Sequence, residues 1–284
     1  MYMNRALIID FTKVAEIKLR EFHVIFKNYY LQMKPVLFIL IVFGMFSCQN
    51  EYNQPDMLVD YNFYSSLYRG GVLQHNAGIN TYISFSDLSQ GYLSHKWELS
   101  DGCAFIDGDI KKNDSIFTKF LLPGNISTNN SIHVLFTKGG LQTIHLYDTF
   151  SDSVNFRGTK NIPSKKVGNV WVMDTTITIH VYEKPIPIYK ISQNGTDVPA
   201  TQDTIIIKVN ESLTFYDQTV IGEPDTRLWS VAGMNSADVT AKLTFKTPGV
   251  YTGYFMSIRT GSPSSNIPYA NSKVNISSVF KVIP

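Results

Sequence analysis

Chemistry in a chain of this kind would show first in its histidines, carboxylates and cysteines. The six histidines are dispersed: His23 near the start, then His75, His95, His133, His145 and His180. His133 and His145 sit on two arms of an expected hairpin, where they could meet and hold a metal. No third ligand stands at a suitable spacing, so solvent-facing strand positions are the better reading and no metal site is assigned. Asp101, Asp107, Asp109, Asn113 and Asp114 make a denser oxygen cluster. Calcium takes about six to eight oxygens, and Lys111 and Lys112 inside the cluster oppose any cation, so it reads as a solvated turn. There is no His-Glu-x-x-His, no Gly-x-Ser-x-Gly and no phosphate-cradling glycine loop. Nothing points to an enzyme, and no catalytic residue or cofactor is assigned. The two cysteines, Cys48 and Cys103, cannot build a disulfide framework. Cys103 reads as a lone thiol acting as a small buried hydrophobe.

The elements that would position side chains are strands. At 284 residues the chain has room for about two domains. Aromatics make up 13% and charged residues 17%, a globular composition rich in strand formers. Residues 1–47 hold 6 of the 25 Lys/Arg and 3 of the 23 Asp/Glu, which leaves 19 and 20 beyond them. The body therefore has no basic field for nucleic acid. Thr81–Ser86 alternates, with Tyr82 or its alternates facing inward. Leu93–Leu99 follows, and Ser131–Phe136 and Leu141–Tyr147 are expected to pair as a closing hairpin around Gly139-Gly140. Val170–Tyr182 reads as one long strand whose odd positions, Trp171, Met173, Ile177, Ile179 and Val181, share a face. Lys184-Pro-Ile-Pro-Ile188 reads as an extended linker. Beyond it, Thr204–Val209, Leu213–Tyr216, Leu228–Ser230, Leu243–Ile258 and Lys273–Ile283 are strands, and Arg259–Pro268 is a polar loop of mobile character. No sustained period of 3.6 occurs, so the chain is all-β: two tandem antiparallel sandwiches at 56–184 and 185–284.

Within these domains Leu213-Thr-Phe-Tyr-Asp217, Leu228-Trp229-Ser230 and Phe245-Lys-Thr-Pro-Gly-Val-Tyr251 resemble the PKD-type immunoglobulin-like domain. There a strand ending in Asp precedes a strand with a buried Trp, and an aromatic-x-x-Pro-Gly-x-Tyr segment opens a late hairpin. Ile83-Ser-Phe-Ser-Asp87, His95-Lys-Trp97 and Val134–Gly140 echo it. The resemblance implies core roles for Trp97 and Trp229, and the strand pattern places Trp171 there too. Trp97 to Gly140 spans 43 positions against 20 from Trp229 to Gly249, an insertion of 23 residues that falls around 104–131. Long loops on rigid scaffolds are where binding usually sits.

Ahead of the body, Pro35–Phe46 is an apolar run too short to span a bilayer, which takes about 20 helical residues, and it follows Lys34. It ends in Gly44-Met-Phe-Ser-Cys48, which resembles a bacterial lipobox with Met45 and Phe46 in place of its usual Leu and small residue. Residues 33–47 then form a lipoprotein signal peptide, Cys48 is lipidated, and 48–55 is a polar tether. The alternative is an ordinary signal peptide with a chance cysteine. Residues 1–32 read as an over-extended N-terminus ahead of Met33; if they are translated, the apolar run becomes an internal signal anchor. Asp114-Ser-Ile, Asp152-Ser-Val, Asp174-Thr-Thr and Asp203-Thr-Ile resemble an O-glycosylation signal of exported bacterial proteins, and turns between strands explain them equally well.

These resemblances imply an exported lipoprotein, anchored to the outer membrane through lipid and exposed at the cell surface. In such accessory proteins of polysaccharide uptake the expected partners are a polysaccharide and outer-membrane transport proteins, not nucleic acid. Sugar binding would use exposed aromatics and hydrogen-bonding side chains. The candidates are Tyr61, Tyr64, Tyr68 and Arg69 near the first strand, and Tyr254, Arg259 and Tyr269 around the last loop. The alternative is a stalk or adhesin that contacts a protein partner.

Overall fold

The computed structural model describes residues 58–67, 71–158 and 160–284, and Lys18 alone in the leader. The readings made for the rest of the leader, for Cys48 and for Tyr68 and Arg69 lie outside the described residues. Residues 57–284 form one compact unit, and among its described residues there is no α-helix.

The first sandwich runs through β1 (Phe63–Ser65), β2 (Gln74–Gly78), β3 (Tyr82–Asp87), β4 (Tyr92–Leu99), β5 (Cys103–Ile106), β6 (Ile126–Ser127), β7 (Ser131–Phe136), β8 (Gly140–Phe150), β9 (Asn155–Arg157), β10 (Asn161–Pro163), β11 (Lys165–Val167) and β12 (Val170–Tyr182). One sheet has the order β1-β3-β7-β5 and the facing sheet β11-β12-β8-β4-β6, with β2 added parallel to β12. The second runs through β13 (Tyr189–Gln193), β14 (Thr196–Asp197), β15 (Thr204–Lys208), β16 (Ser212–Asp217), β17 (Thr226–Val231), β18 (Met234–Ser236), β19 (Thr240–Thr244), β20 (Gly249–Tyr251), β21 (Gly253–Arg259), β22 (Ala270–Asn275) and β23 (Val279–Ile283). Its first sheet is β14-β13-β16-β19. β15-β23-β20 and β18-β17-β21-β22 are two further sheets, and β15 lies parallel to β23 as β2 does to β12. The two halves share a core order, β1-β3-β7 answering to β13-β16-β19 and β4-β8 to β17-β21, and differ at their edges.

Period-2 patterning explains the packing. On β3 the inward residues are Ile83, Phe85 and Asp87, and on β12 they are Met173, Thr175, Ile177, Ile179 and Val181. Tyr82 accordingly lies on the outer face of β3, half-buried, where its ring meets Phe117 of the insertion at 4.9 Å. Two separate apolar cores result, one built from residues 61–181 and one from 191–282. Trp97 and Trp229 are fully buried at their centres. Each indole N–H donates to a carbonyl, that of Asn129 at 3.1 Å and that of Asp238 at 2.9 Å. Trp171 is only partly buried against the first core, with Lys166 Nζ 5.8 Å from its ring centre.

The closing hairpin expected at 131–147 does not form. β7 pairs with β3 and β5, while β8 pairs with β4 and β12 in the opposite sheet. Thr137–Gly139 is thus a crossing between sheets. Alternation alone cannot tell such a crossing from a tight turn, because either is short and glycine-rich.

Candidate functional site

The inward rows of β3, β4 and β8 are largely apolar, but each carries one ionisable side chain towards the same end of the first sandwich. On β4 the row reads His95, Trp97, Leu99, and on β8 it includes Ile144, Leu146, Asp148 and Phe150. His95 and Asp148 are direct cross-strand partners. Asp87, at the end of β3, approaches them from the facing sheet. His95 Nδ1 lies 3.0 Å from Asp87 Oδ2 and 3.9 Å from Asp148 Oδ1, and all three side chains are buried. Ser89 holds the outer oxygens: its N–H donates to Asp87 Oδ1 at 2.9 Å and its hydroxyl to Asp148 Oδ2 at 3.2 Å. The other ring nitrogen of His95 meets the Thr128 carbonyl, so Nε2 carries a proton.

The second sandwich carries the same constellation with different chemistry. Asp217 ends β16 as Asp87 ends β3, and the N–H of Thr219 caps it at 2.9 Å as Ser89 does. The partner two residues before the tryptophan is Arg227, whose Nε donates to Asp217 Oδ2 at 2.7 Å. Opposite Arg227 on β21 stands Ser257, bonded to the Thr219 hydroxyl at 2.9 Å. One carboxylate thus meets one permanent cation, and the set is neutral. In the first sandwich histidine replaces the arginine and aspartate replaces the serine. That exchange adds a negative charge and makes the cation titratable.

The consequence falls on Asp148, whose pKa is pushed up to about 8 by burial and by the charge of Asp87, against a smaller opposing pull from the Ser89 hydrogen bond. The Tyr61 hydroxyl shares the pocket and is raised well above its usual value by burial, with both aspartates adding to the rise. A folded-state carboxyl titrating near 8 against an unfolded value near 4 binds a proton that the unfolded chain has released. Its contribution to stability is therefore present below pH about 4 and is lost as pH rises towards 8. In chelator-treated protein the urea midpoint is expected to fall between pH 5 and pH 8, by about 3–4 kcal/mol of stability, and Asp148→Asn is expected to remove that part of the slope. Parallel pH profiles for the two proteins would exclude Asp148 as the source.

Sequence reasoning missed this cluster because it sorted ionisable residues by density along the chain. The usable signal was phase: His95 and Asp148 both fall on core-facing positions of strands. His133 and His145, which the sequence allowed to meet across a hairpin, are not brought together. His133 Nδ1 bonds the Ser84 hydroxyl at 2.7 Å in one sheet, while His145 faces Thr176 and Asp174 in the other. In the acidic turn, Asp101 pairs with Lys138 at 2.7 Å and Asp114 with Lys119, and these lysines hold both carboxyls below their usual range. The Cys103 thiol is pushed up to about 11 by burial, which leaves it inert. Of the four Asp-Ser/Thr motifs, the one at Asp174 has its Thr175 buried, where no transferase could reach it in the folded protein.

The residues proposed for sugar stacking do not converge. Tyr61 is 2% exposed and packs edge-on against Phe150 and Phe156, so it presents no face to a ligand. Tyr64 is on the outer face of β1 in the first sandwich. Tyr254 and Tyr269 stand at opposite ends of the β21–β22 hairpin, Tyr254 beneath Lys273 Nζ at 4.0 Å and Tyr269 63% exposed. Arg259 is 3% exposed and is no ligand residue. Its Nε donates to the Pro268 carbonyl at 2.7 Å and its Nη1 to the Glu183 carbonyl at 2.8 Å and to that of Gly222. The guanidinium also lies 4.8 Å from the Tyr182 ring centre. Since Tyr182 and Glu183 end the first sandwich, Arg259 joins the two halves.

The segment read as a linker is part of this joint. Gly222 has φ +81, and a Cβ there would come within 2.4 Å of Pro185 N, so only glycine allows the approach. His180 Nε2 meets Glu223 at 2.7 Å, and Asn76 Nδ2 donates to the Ser265 carbonyl at 2.8 Å. The loop expected to be mobile is thereby docked, and Pro263–Ser265 forms a short 3-10 turn within it. The insertion is ordered too, carrying a 3-10 turn at Phe117–Phe120 and the short strand β6. A shallow cavity of about 240 Å³ opens beside it, lined by Ile106, Gly108, Leu122, Ile126, Asn129 and His133.

No protein-family profile and no curated protein matches the chain. Among solved structures, a Dscam structure explaining isoform specificity is 8% identical, with a TM-score of 0.33 over 81% of this chain and 47% of that one. The titin I-band fragment I67–I69 is 12% identical, with a TM-score of 0.37 over 78% and 65%. The N-terminal four immunoglobulin domains of Dscam1 isoform 1.9 give 10% and 0.32 over 74% and 44%. The chain spans less than half the length of the Dscam structures it resembles. Strand order, sheet pairing and the buried tryptophan on the same strand of each half define tandem immunoglobulin-like β-sandwiches.

Proposed function

We propose that this chain is a non-enzymatic surface lipoprotein, anchored to the outer membrane by lipid at Cys48, whose two sandwiches act as a rigid arm carrying a contact surface. The observation that carries the reading is the buried Arg259 joint, which fixes one sandwich on the other where a flexible linker would let them swing. No helix among the described residues is long and apolar enough to cross a membrane, and the lipobox-like leader supplies the anchor. The contact surface is the insertion at 104–131. It exposes Ile116, Leu121, Leu122 and Ile126, aliphatic side chains that suit a protein partner better than the hydroxyls of a sugar. The scatter of the tyrosines counsels against a glycan platform.

The test is native affinity electrophoresis of the chain against plant, algal and host polysaccharides, run beside capture from detergent-solubilised outer membranes. The expected result is no retardation by any polymer. Capture of one discrete outer-membrane protein is expected, and Ile116→Ser with Leu122→Ser should lower it at least tenfold without a change in melting temperature. Retardation by one polymer class would overturn the protein-partner reading and restore glycan binding.

A further inference from the structure

We propose that Asp87, His95 and Asp148 form a buried site for a first-row divalent cation of the zinc type. Three atoms face one another there: Asp87 Oδ2, His95 Nδ1 and Asp148 Oδ1. They all lie within 4.8 Å of one another; Asp148 Oδ1 is buried without a hydrogen-bond partner, and Asp87 Oδ2 and His95 Nδ1 have only each other, at 3.0 Å. Buried polar atoms are nearly always satisfied, so an unpaired carboxylate oxygen beside a second carboxylate and an imidazole calls for a proton or a cation.

The geometry suits a small cation. Tetrahedral zinc with bonds of about 2.1 Å sets its ligand atoms roughly 3.4 Å apart, and the two His95 separations, 3.0 and 3.9 Å, bracket that value. The surroundings also match what metal ligands need. A ligating histidine usually donates its second N–H to a carbonyl or carboxylate, and His95 gives Nε2–H to Thr128. The carboxylate oxygens turned away from the centre are fixed by Ser89. The pocket also holds the Tyr61 hydroxyl and Thr175, both buried. A water can supply a fourth position. One imidazole and two carboxylates in a dry pocket favour zinc over magnesium, which keeps its waters, and over calcium, which needs more oxygens.

The charge balance closes as well. Without metal, neutrality of the trio takes two protons, one between His95 and Asp87 and one on Asp148. A divalent cation bound by a neutral imidazole and two carboxylates is also neutral, so binding exchanges one cation for up to two protons. The second sandwich serves as an internal reference. Its Asp217–Arg227–Ser257 set satisfies itself, with the arginine already standing where a cation would be needed.

The experiment is calorimetric titration of the chelator-stripped full chain with zinc sulfate, in two buffers of different ionisation heat, followed by thermal melting. One zinc per chain is expected, with between one and two protons released. The melting temperature should rise by about 10 °C at a hundredfold excess of free zinc over its dissociation constant. His95→Arg with Asp148→Ser installs the second sandwich's self-satisfied set and is expected to melt cooperatively, to bind no zinc at this site and to show no such rise. The exposed His145 and His180 remain in that variant and report any weak surface binding. Asp148→Asn, which keeps the shape of the side chain, is expected to lower zinc affinity at least a hundredfold should the double variant fail to fold. No zinc response in the unaltered chain, equal binding by a folded variant, or a stronger response to calcium than to zinc would each overturn the proposal.

Discussion

Arg259→Ala is expected to cost about 3–5 kcal/mol and to set the two sandwiches swinging. The side chain is a buried cation with no carboxylate on it; three backbone carbonyls satisfy its charge. Hydrogen bonds from a charged donor are worth roughly 1.5–3 kcal/mol each. Removing the donor leaves the carbonyls of Glu183, Gly222 and Pro268 without it, and Gly222 is itself buried. The stacked Tyr182 ring loses its cation as well. The readout with two arms is small-angle scattering beside urea unfolding. The variant should show a broader distribution of interatomic distances at unchanged strand content, and its unfolding should separate into two transitions as the halves uncouple. Arg259→Lys should recover little, because one ammonium cannot reach three divergent carbonyls as the planar fork does. Unchanged scattering with a lowered midpoint would mean that Pro185, Gly222 and the His180–Glu223 pair hold the joint alone, and the rigid-arm reading would then rest on them.

This joint marks the limit of what the sequence made legible. The strand Val170–Tyr182 and the buried tryptophans can be read from period and residue type, since side chains alternate along any strand. The class of fold follows from many such strands. The choice of sheet does not: β7 and β8 look like hairpin arms because their connection is short, yet long-range pairing with β3 and with β4 and β12 decides where they go. Arg259 reads as a polar loop residue because its burial depends on a carbonyl 76 positions away, and Pro185–Ile188 as a free linker because its contacts, with Thr219, Ile221 and Gly222, lie more than 30 positions further along the chain. The Asp87–His95–Asp148 cluster lies between these cases. Its members occupy legible inward positions, but their meeting requires knowing that β3 faces β4 and β8 across the core.

The paired tryptophans give the second large effect and a comparison internal to the molecule. Trp97→Leu and Trp229→Leu are each expected to cost about 3–5 kcal/mol, as truncation of a fully buried aromatic does, with Trp229→Leu the worse by about 1 kcal/mol. Both indoles sit on the same strand of the same fold and donate to a carbonyl nine or more positions further on. Those carbonyls belong to exposed residues, Asn129 and Asp238, so water can replace the lost N–H at little cost and that contribution cancels between the two sites. What differs is the ring's company. Trp229 stacks on Phe255 with centroids 4.0 Å apart and an interplanar angle of 21°, and it meets Phe215 at 5.5 Å and the edge of Tyr189 at 6.3 Å. Trp97 has Leu146 as its cross-strand partner and Phe85 tilted at 6.2 Å. Aromatic pairs contribute roughly 0.5–1.5 kcal/mol beyond the area they bury, and a leucine forfeits that at Trp229 while keeping most of the aliphatic contacts at Trp97. Because the cores are separate, the costs should add in the double variant to within about 0.5 kcal/mol. Equal costs at the two sites would show that buried area outweighs ring geometry here, and a strongly non-additive double variant would show that the joint transmits packing from one core to the other.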